Sequence, residues 1–233
     1  AALYRLSHHY GWTDMIDTHI TARVPGTTDQ YFINPYGLMF DEITASSLLK
    51  VDFDGNVLEG DYPTNSAGHL IHTAVLKARP DLNVLLHSHT RAGTAVSAME
   101  CGLLPLSQQG NEIINLVSYH DYQLVVGDAE TECAALARDL PQGKRLMIMR
   151  NHGLLTCGRT IGEAFILMFY LDKACEIQLD AMAVGTPLLE PQQEVIAKAA
   201  EGWWNWDGDA PFGQRNWEAL VRELDRDGRD YAR

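Results

Sequence analysis

Residues 83–90, NVLLHSHT, end a short apolar run on two histidines one residue apart. In an extended chain, residues two apart point to the same side, so His87 and His89 can offer two imidazoles to one ion. A third candidate, His152, follows the apolar run RLMIM and precedes Gly153, which places it at a strand end beside a tight turn. Three imidazoles are a common zinc ligand set, and they leave a fourth position open for water or substrate. The same pattern also suits polar residues hydrogen-bonded at a strand edge, and taken alone these residues leave both readings open.

Other polar residues have two readings each. His19 could carry a proton near neutral pH if it faces the metal, because imidazole titrates there; otherwise it is a hydrogen-bonded loop residue. Tyr119, His120 and Asp121 form a polar knot that is either a buried turn or a substrate contact. His69 and His72 fall on a helix, where packing is the expected role, while His8 and His9 are expected to face solvent. Trp203, Trp204 and Trp206 either stack on a ligand or bury the C-terminal segment against a neighbouring subunit.

The elements that must hold these residues can be read from periodicity. A helix is expected over the first dozen residues, then strands through ITARV and QYFIN, then a hairpin through KVDFD and VLEG. Leu70, Ile71, Ala74, Val75 and Ala78 share one helical face, with Asn65 or Ser66 as the cap and Pro80 as the stop. VLLH reads as a buried strand, and Ala92, Ala95, Val96 and Met99 as the next helix. YQLVVG and RLMIM read as strands on either side of a helix through TECAALARDL. Thr160 and Glu163 predict a capping box opening a helix of about twenty residues, and a last amphipathic helix runs from Asn216 to near Asp225. Strands and helices do not alternate strictly, so the expectation is one α/β domain with a mixed or largely antiparallel sheet.

Bulk composition excludes several classes. The 233 residues are 46% hydrophobic and 21% charged, enough for one substantial core and too ordered in composition for a disordered chain. A net charge of −13 with no basic cluster argues against nucleic acid and anionic membrane surfaces as partners. No apolar run approaches the roughly 20 residues of a membrane span, and the first residues lack the order of a secretory leader. Four scattered cysteines read as reduced thiols. The expected location is the cytoplasm.

The segment ARPDLNVLLHSHTRAGTAVSAMECGLLP, with RNHGLLTCGRTIGEAF downstream, resembles the class II aldolase/adducin domain family. THITAR, INPYG and SYHDY stand in the family's order, so the resemblance spans roughly residues 5 to 185. It implies a three-layer α/β/α domain over residues 1–190, with residues 191–233 as a tail packed on it or on a neighbouring subunit. It also implies that His87, His89 and His152 bind a divalent metal, most often zinc, with Fe(II) or Mn as alternatives. Asn34, Ser66 and His120 fall at positions where a substrate contact is implied, and a homotetramer is the implied assembly.

Two departures matter. Family aldolases carry a glutamate ahead of the RPD helix as acid or base; the matching position is Gly68, and no Asp or Glu lies between Asp61 and Asp81. Where they carry Gly-Asn in the first strand region and paired serines before the glutamate, this chain has Thr18-His19 and Ser66-Ala67. Gln108 and Gln109 stand near the position of a family tyrosine. These changes resemble the adducin-like branch. The expected function is therefore a metal-dependent lyase that breaks a carbon–carbon bond, by retro-aldol cleavage or decarboxylation, in a small carbonyl or hydroxy-acid substrate. His19 is then the candidate proton carrier in place of the carboxylate. The expected alternatives are a non-haem iron enzyme and a non-catalytic interaction domain, with actin as partner by analogy with adducin alone.

Overall fold

The β-branched and aromatic residues of the first third build an antiparallel meander after helix α1 (Ala2–His9). Strand β1 (His19–Arg23) pairs with β2 (Gln30–Ile33), β2 with β3 (Leu49–Asp52), and β3 with β4 (Val57–Glu59). The computed structural model describes residues 1–122, 129–226 and 228–233. The period then changes to helical. Asn65 caps α2 (Ser66–Ala78) by accepting the Gly68 N–H at 3.0 Å, and Pro80 follows as the stop.

Strand β5 (Val84–Ser88) returns beside β1, antiparallel, which sets His19 directly opposite His87. Next come α3 (Arg91–Ser97), α4 (Gln108–Ile113), β6 (Val117–His120), α5 (Ala129–Asp139), β7 (Leu146–Met149) and β8 (Gly153–Gly158). Three helices close the chain: α6 (Ile161–Ala183), α7 (Gln193–Trp204) and α8 (Gln214–Arg226). The eight strands form one sheet in the order β4-β3-β2-β1-β5-β8-β7-β6. Among the described residues, β6 and β7 are the one parallel pair.

Period-2 alternation divides the core into two layers. Val84 and Leu86 join Ile20, Leu146, Ile148 and Leu154 against α1, α3 and α6. Leu85 joins Met147, Leu155 and Cys157 against Ile71, Val75 and Leu76 of α2, Leu136 of α5 and Leu140 just past it. The result is the three-layer α/β/α arrangement with a mixed, largely antiparallel sheet. Every residue of β5 is buried, and each fully buried Leu or Val contributes roughly 1.5–3 kcal/mol. The central strand that carries His87 and leads into His89 is thus among the best anchored in the fold.

The RPD motif has a structural reason. Arg79, 4% exposed, donates to the carbonyls of Leu140, Pro141 and Lys144 and pairs with Asp81 at 2.8 Å, tying the end of α2 to the α5–β7 connection.

The structure departs from the sequence expectations in places. Val117–His120 is itself a strand, so Tyr119 and His120 lie within an element rather than in a turn before one. The strand expected through YQLVVG lies, from Gln123 onward, outside the described residues. Thr160 does accept the Glu163 N–H (3.1 Å), yet the Glu163 carboxylate turns to Arg159 and Arg145 instead of completing the capping box. The short helix α4 and the helix α7 after the proline-rich stretch had no strong period to announce them. Trp203 and Trp204 close on Phe212 of their own chain, with ring centroids 4.6 and 4.5 Å away.

Candidate metal centre

The site lies where β1 begins and β5 ends, beside the β7–β8 hairpin. His87 shares the sheet face of Leu85, toward α2, and is 1% exposed. Its Nδ1 lies 2.9 Å from the Leu154 carbonyl. A carbonyl can only accept, so Nδ1 carries the proton and Nε2 presents a lone pair. His89, just past the strand, has its Nδ1 3.0 Å from Oδ2 of Asp14, which fixes its tautomer in the same sense.

His152 arrives from the hairpin between β7 and β8. Asn151 before it takes a left-handed backbone (φ 56°), a conformation that asparagine tolerates better than most residues. Gly153 after it lies so close to β5 that a β-carbon there would meet the Ser88 carbonyl oxygen at 2.5 Å. The hairpin can therefore press His152 against the other two imidazoles. Nε2 of His89 lies 2.8 Å from that of His87 and 3.0 Å from that of His152. The three ligand atoms all fall within 4.8 Å of one another.

Lone pairs converging at this spacing repel unless a positive charge sits among them. A proton is a poor choice. Burial, with neighbouring histidines, holds His87 well below its ordinary range, and burial with His89 beside it lowers His152 to about 4. A divalent cation suits the donor set better, since neutral imidazoles are good ligands for such ions.

Beside this triad stands His19, 2% exposed, its ring 4.8 Å from that of His87 and tilted by 30°. Its Nδ1 lies 2.9 Å from Nε2 of His72, and Nδ1 of His72 lies 2.8 Å from Oγ1 of Thr21. A β-carbon at Gly68 would meet Cγ of His19 at 2.8 Å. The imidazole of His19 thus fills the volume that a side chain at Gly68 would enter. Burial first, then the neighbouring histidines, holds both His19 and His72 well below the ordinary imidazole range.

The other residues singled out from sequence fall elsewhere. Asn34 continues the β1–β2 ladder, its Oδ1 accepting the Ile20 N–H at 3.4 Å, and makes no hydrogen bond to the histidine group. Ser66 is exposed at the first position of α2. His120 is enclosed by Asp139 at 2.9 Å and Glu132 at 3.3 Å, so both of its nitrogens already have carboxylate partners. His69 meets the Tyr31 hydroxyl at 2.6 Å. Asp14 and Thr21 were not anticipated: one lies in a loop far from either histidine motif, and the other reads as an ordinary strand threonine. His72, expected to pack, links Thr21 to His19.

The profile of the Class II Aldolase and Adducin N-terminal domain matches residues 1–179. The chain belongs to that family. A Pseudomonas aeruginosa protein named as a candidate class 2 aldolase is 45% identical over 99% of this chain and 89% of its own. Mouse alpha-adducin is 39% identical over 98% of this chain, which corresponds to 32% of that longer protein. Among solved structures, an aldolase II superfamily protein from Pseudomonas syringae superposes with a TM-score of 0.91 at 46% identity, covering 99% of this chain and 92% of that one. L-fuculose 1-phosphate aldolase from Glaciozyma antarctica superposes at 0.86 with 29% identity, over 100% of this chain and 89% of that one. The class II aldolase/adducin family thus includes proteins named for catalysis and proteins named as adducins, and this chain is similar to both.

Proposed function

We propose that the protein is a divalent-metal-dependent lyase that breaks a carbon–carbon bond, by retro-aldol cleavage or decarboxylation, in a small carbonyl or hydroxy-acid substrate. The observation that carries this reading is the convergence of three Nε2 atoms whose Nδ1 positions are tied down at His87 and His89. His87, His89 and His152 would hold the ion. When bound, such an ion supplies Lewis-acid polarisation of a carbonyl oxygen. The same reading takes zinc as the ion with Fe(II) or Mn as alternatives, a homotetramer as the assembly and the cytoplasm as the location.

The chain's own residues divide the remaining work. Asp14 and the Leu154 carbonyl orient two of the imidazoles. His19 takes the proton-handling place of the absent carboxylate, acting as a neutral imidazole backed by His72 and Thr21. The chain His19–His72–Thr21 has two tautomeric settings. In one, Nε2 of His19 is a hydrogen-bond donor, and in the other it is an acceptor, so the group can present either role toward a substrate. Buried β-strand and helix positions keep all three in register with the metal ligands.

The test is elemental analysis of protein purified without added metal, followed by a screen of hydroxy-aldehydes, 2-oxo acids and their phosphates. About one equivalent of transition metal, lost in His87→Ala, with turnover lost in His19→Ala at unchanged metal content, supports the reading. A second reading, a non-catalytic adducin-like interaction domain, is favoured by the missing acid at Gly68 together with the likeness to alpha-adducin. Metal-loaded protein inactive across the whole screen would establish it in preference to the lyase.

A further inference from the structure

Two short segments carry the outer side of the histidine group. One is the loop of residues 12–18, which brings Oδ2 of Asp14 to 3.0 Å from Nδ1 of His89. The other is His89 itself, followed by Thr90, between β5 and α3. Both lie outside the sheet ladder. Within the loop the Asp17 N–H donates to the Asp14 carbonyl at 2.9 Å, and Met15 takes a left-handed backbone (φ 46°), which disfavours a residue of its type. A loop so built needs an anchor elsewhere to hold a carboxylate in one place.

Asp172, on α6, stands at both segments. Its Oδ2 accepts from Nε1 of Trp12 at 3.1 Å, two residues before Asp14. Trp12 is 2% exposed, its ring packed on those of Tyr10 and Phe165 at 5.3 and 4.9 Å. Oδ1 of Asp172 is buried with no aligned hydrogen-bond partner among the described residues. The polar group beside that carboxyl is the hydroxyl of Thr90, one residue after His89, which favours its ionised form. Thr90 Oγ1 already accepts the Gly93 N–H at 3.1 Å as the cap of α3, so its own proton is free to be donated. The helix is set in place one turn earlier, where Met168 meets the Ser88 hydroxyl at the end of β5. A carboxylate accepts on both oxygens, so it can hold an indole and a hydroxyl at once; an amide has one oxygen for the two.

We propose that Asp172 is a positioning residue for the metal centre. From α6 it fixes both members of the Asp14–His89 pair, the loop through Trp12 and the histidine through Thr90, and so sets how His89 faces the ion. It touches neither ion nor substrate. This role rests on the metal-binding reading above.

Cobalt(II), added to metal-stripped protein, is the probe. Competition with a chromophoric chelator reads its affinity, and visible absorption of the bound ion reads the ligand geometry. Asp172→Asn keeps the side-chain volume and one acceptor for Trp12. It should weaken cobalt binding about three- to tenfold, short of the loss expected for a carboxylate directly behind a ligand, and should change the absorption band. The melting temperature of the metal-stripped protein should move by no more than about 2–4 °C, the equivalent of one hydrogen bond in a chain of this size. Trp12→Phe, which keeps an aromatic ring and removes the N–H donor, should weaken cobalt binding in the same direction. In an Asp14→Asn background the effect of Asp172→Asn should shrink, since the two act on one imidazole. Unaltered cobalt affinity and spectrum in Asp172→Asn and Trp12→Phe, or strict additivity with Asp14→Asn, would overturn the proposal while leaving the metal site standing. Failure of the unsubstituted protein to bind cobalt would overturn the metal reading, and the proposal with it.

Discussion

A β-carbon on Gly68 would lie 2.8 Å from Cγ and 2.9 Å from Cδ2 of His19. The glycine on α2 and the histidine on β1 are therefore two halves of one exchange: the ring occupies the room that a side chain at 68 would need.

Gly68→Glu should accordingly be destabilising, by roughly 1–3 kcal/mol, the usual cost of overfilling a packed site. His19→Gly combined with Gly68→Glu should recover a large part of that loss. Thermal denaturation of the two single variants and the double variant measures the coupling. Strictly additive effects would show that the two positions do not compete for space.

Asp14→Asn should reduce metal affinity about 10–100-fold, the range for losing a carboxylate behind a ligating histidine. Asp14 is about half exposed, its side chain at 49%, so the melting temperature of metal-stripped protein should hardly move. Competition with a chromophoric chelator reads the affinity. Unaltered affinity would mean that His89 is oriented without it.

Metal-stripped protein should lose stability as the pH falls. His19, His72, His87 and His152 all have folded-state values below the ordinary imidazole value of about 6.5, so between the folded and unfolded values the unfolded chain binds more protons. The stabilising contribution is complete above about 6.5 and declines on acidification. For His152 the decline levels off once the pH passes its folded value of about 4. Melting temperatures across this window should slope downward toward acid, less steeply in His152→Ala. A flat profile between neutrality and pH 5 would count against neutral buried imidazoles.

Arg79→Ala should cost about 3–5 kcal/mol, the range for breaking a buried charged network. Three carbonyls would lose their donor and Asp81 one of its cations, leaving Arg145 at 3.1 Å. Urea unfolding measures this. A loss below about 1 kcal/mol would place the carbonyls in contact with water rather than with the guanidinium.

The sequence disclosed the parts of this centre that lie close together in the chain. His87 and His89 stand two apart where a strand ends, and His152 sits against a glycine after an apolar run, so period and turn chemistry were enough to nominate them. Both departures from the aldolase pattern, Thr18-His19 and Gly68, were equally visible as letters. Their contact was not, because it depends on β1 pairing with β5 and on α2 lying across that pair. Asp14 escaped for the same reason: a loop aspartate has no period, and only the return of the chain after α1 brings it to His89. The sheet order, with β5 between β1 and β8, likewise follows from tertiary packing that no local pattern encodes. The helix α7 lacked a signal because its apolar residues serve a partner face on α4 and leave Val195 exposed.

The hairpin that delivers His152 bears on how family signatures are understood. In Asn-His-Gly, the histidine alone joins the imidazole cluster. The asparagine answers to a left-handed backbone and the glycine to a carbonyl 2.5 Å from where its β-carbon would be. Two of the three letters are thus selected by the shape of the turn, and a lineage that abandoned chemistry would still be held to them for the sake of folding. The motif records ancestry and geometry together, and the histidine is the letter that the proposed metal binding would require.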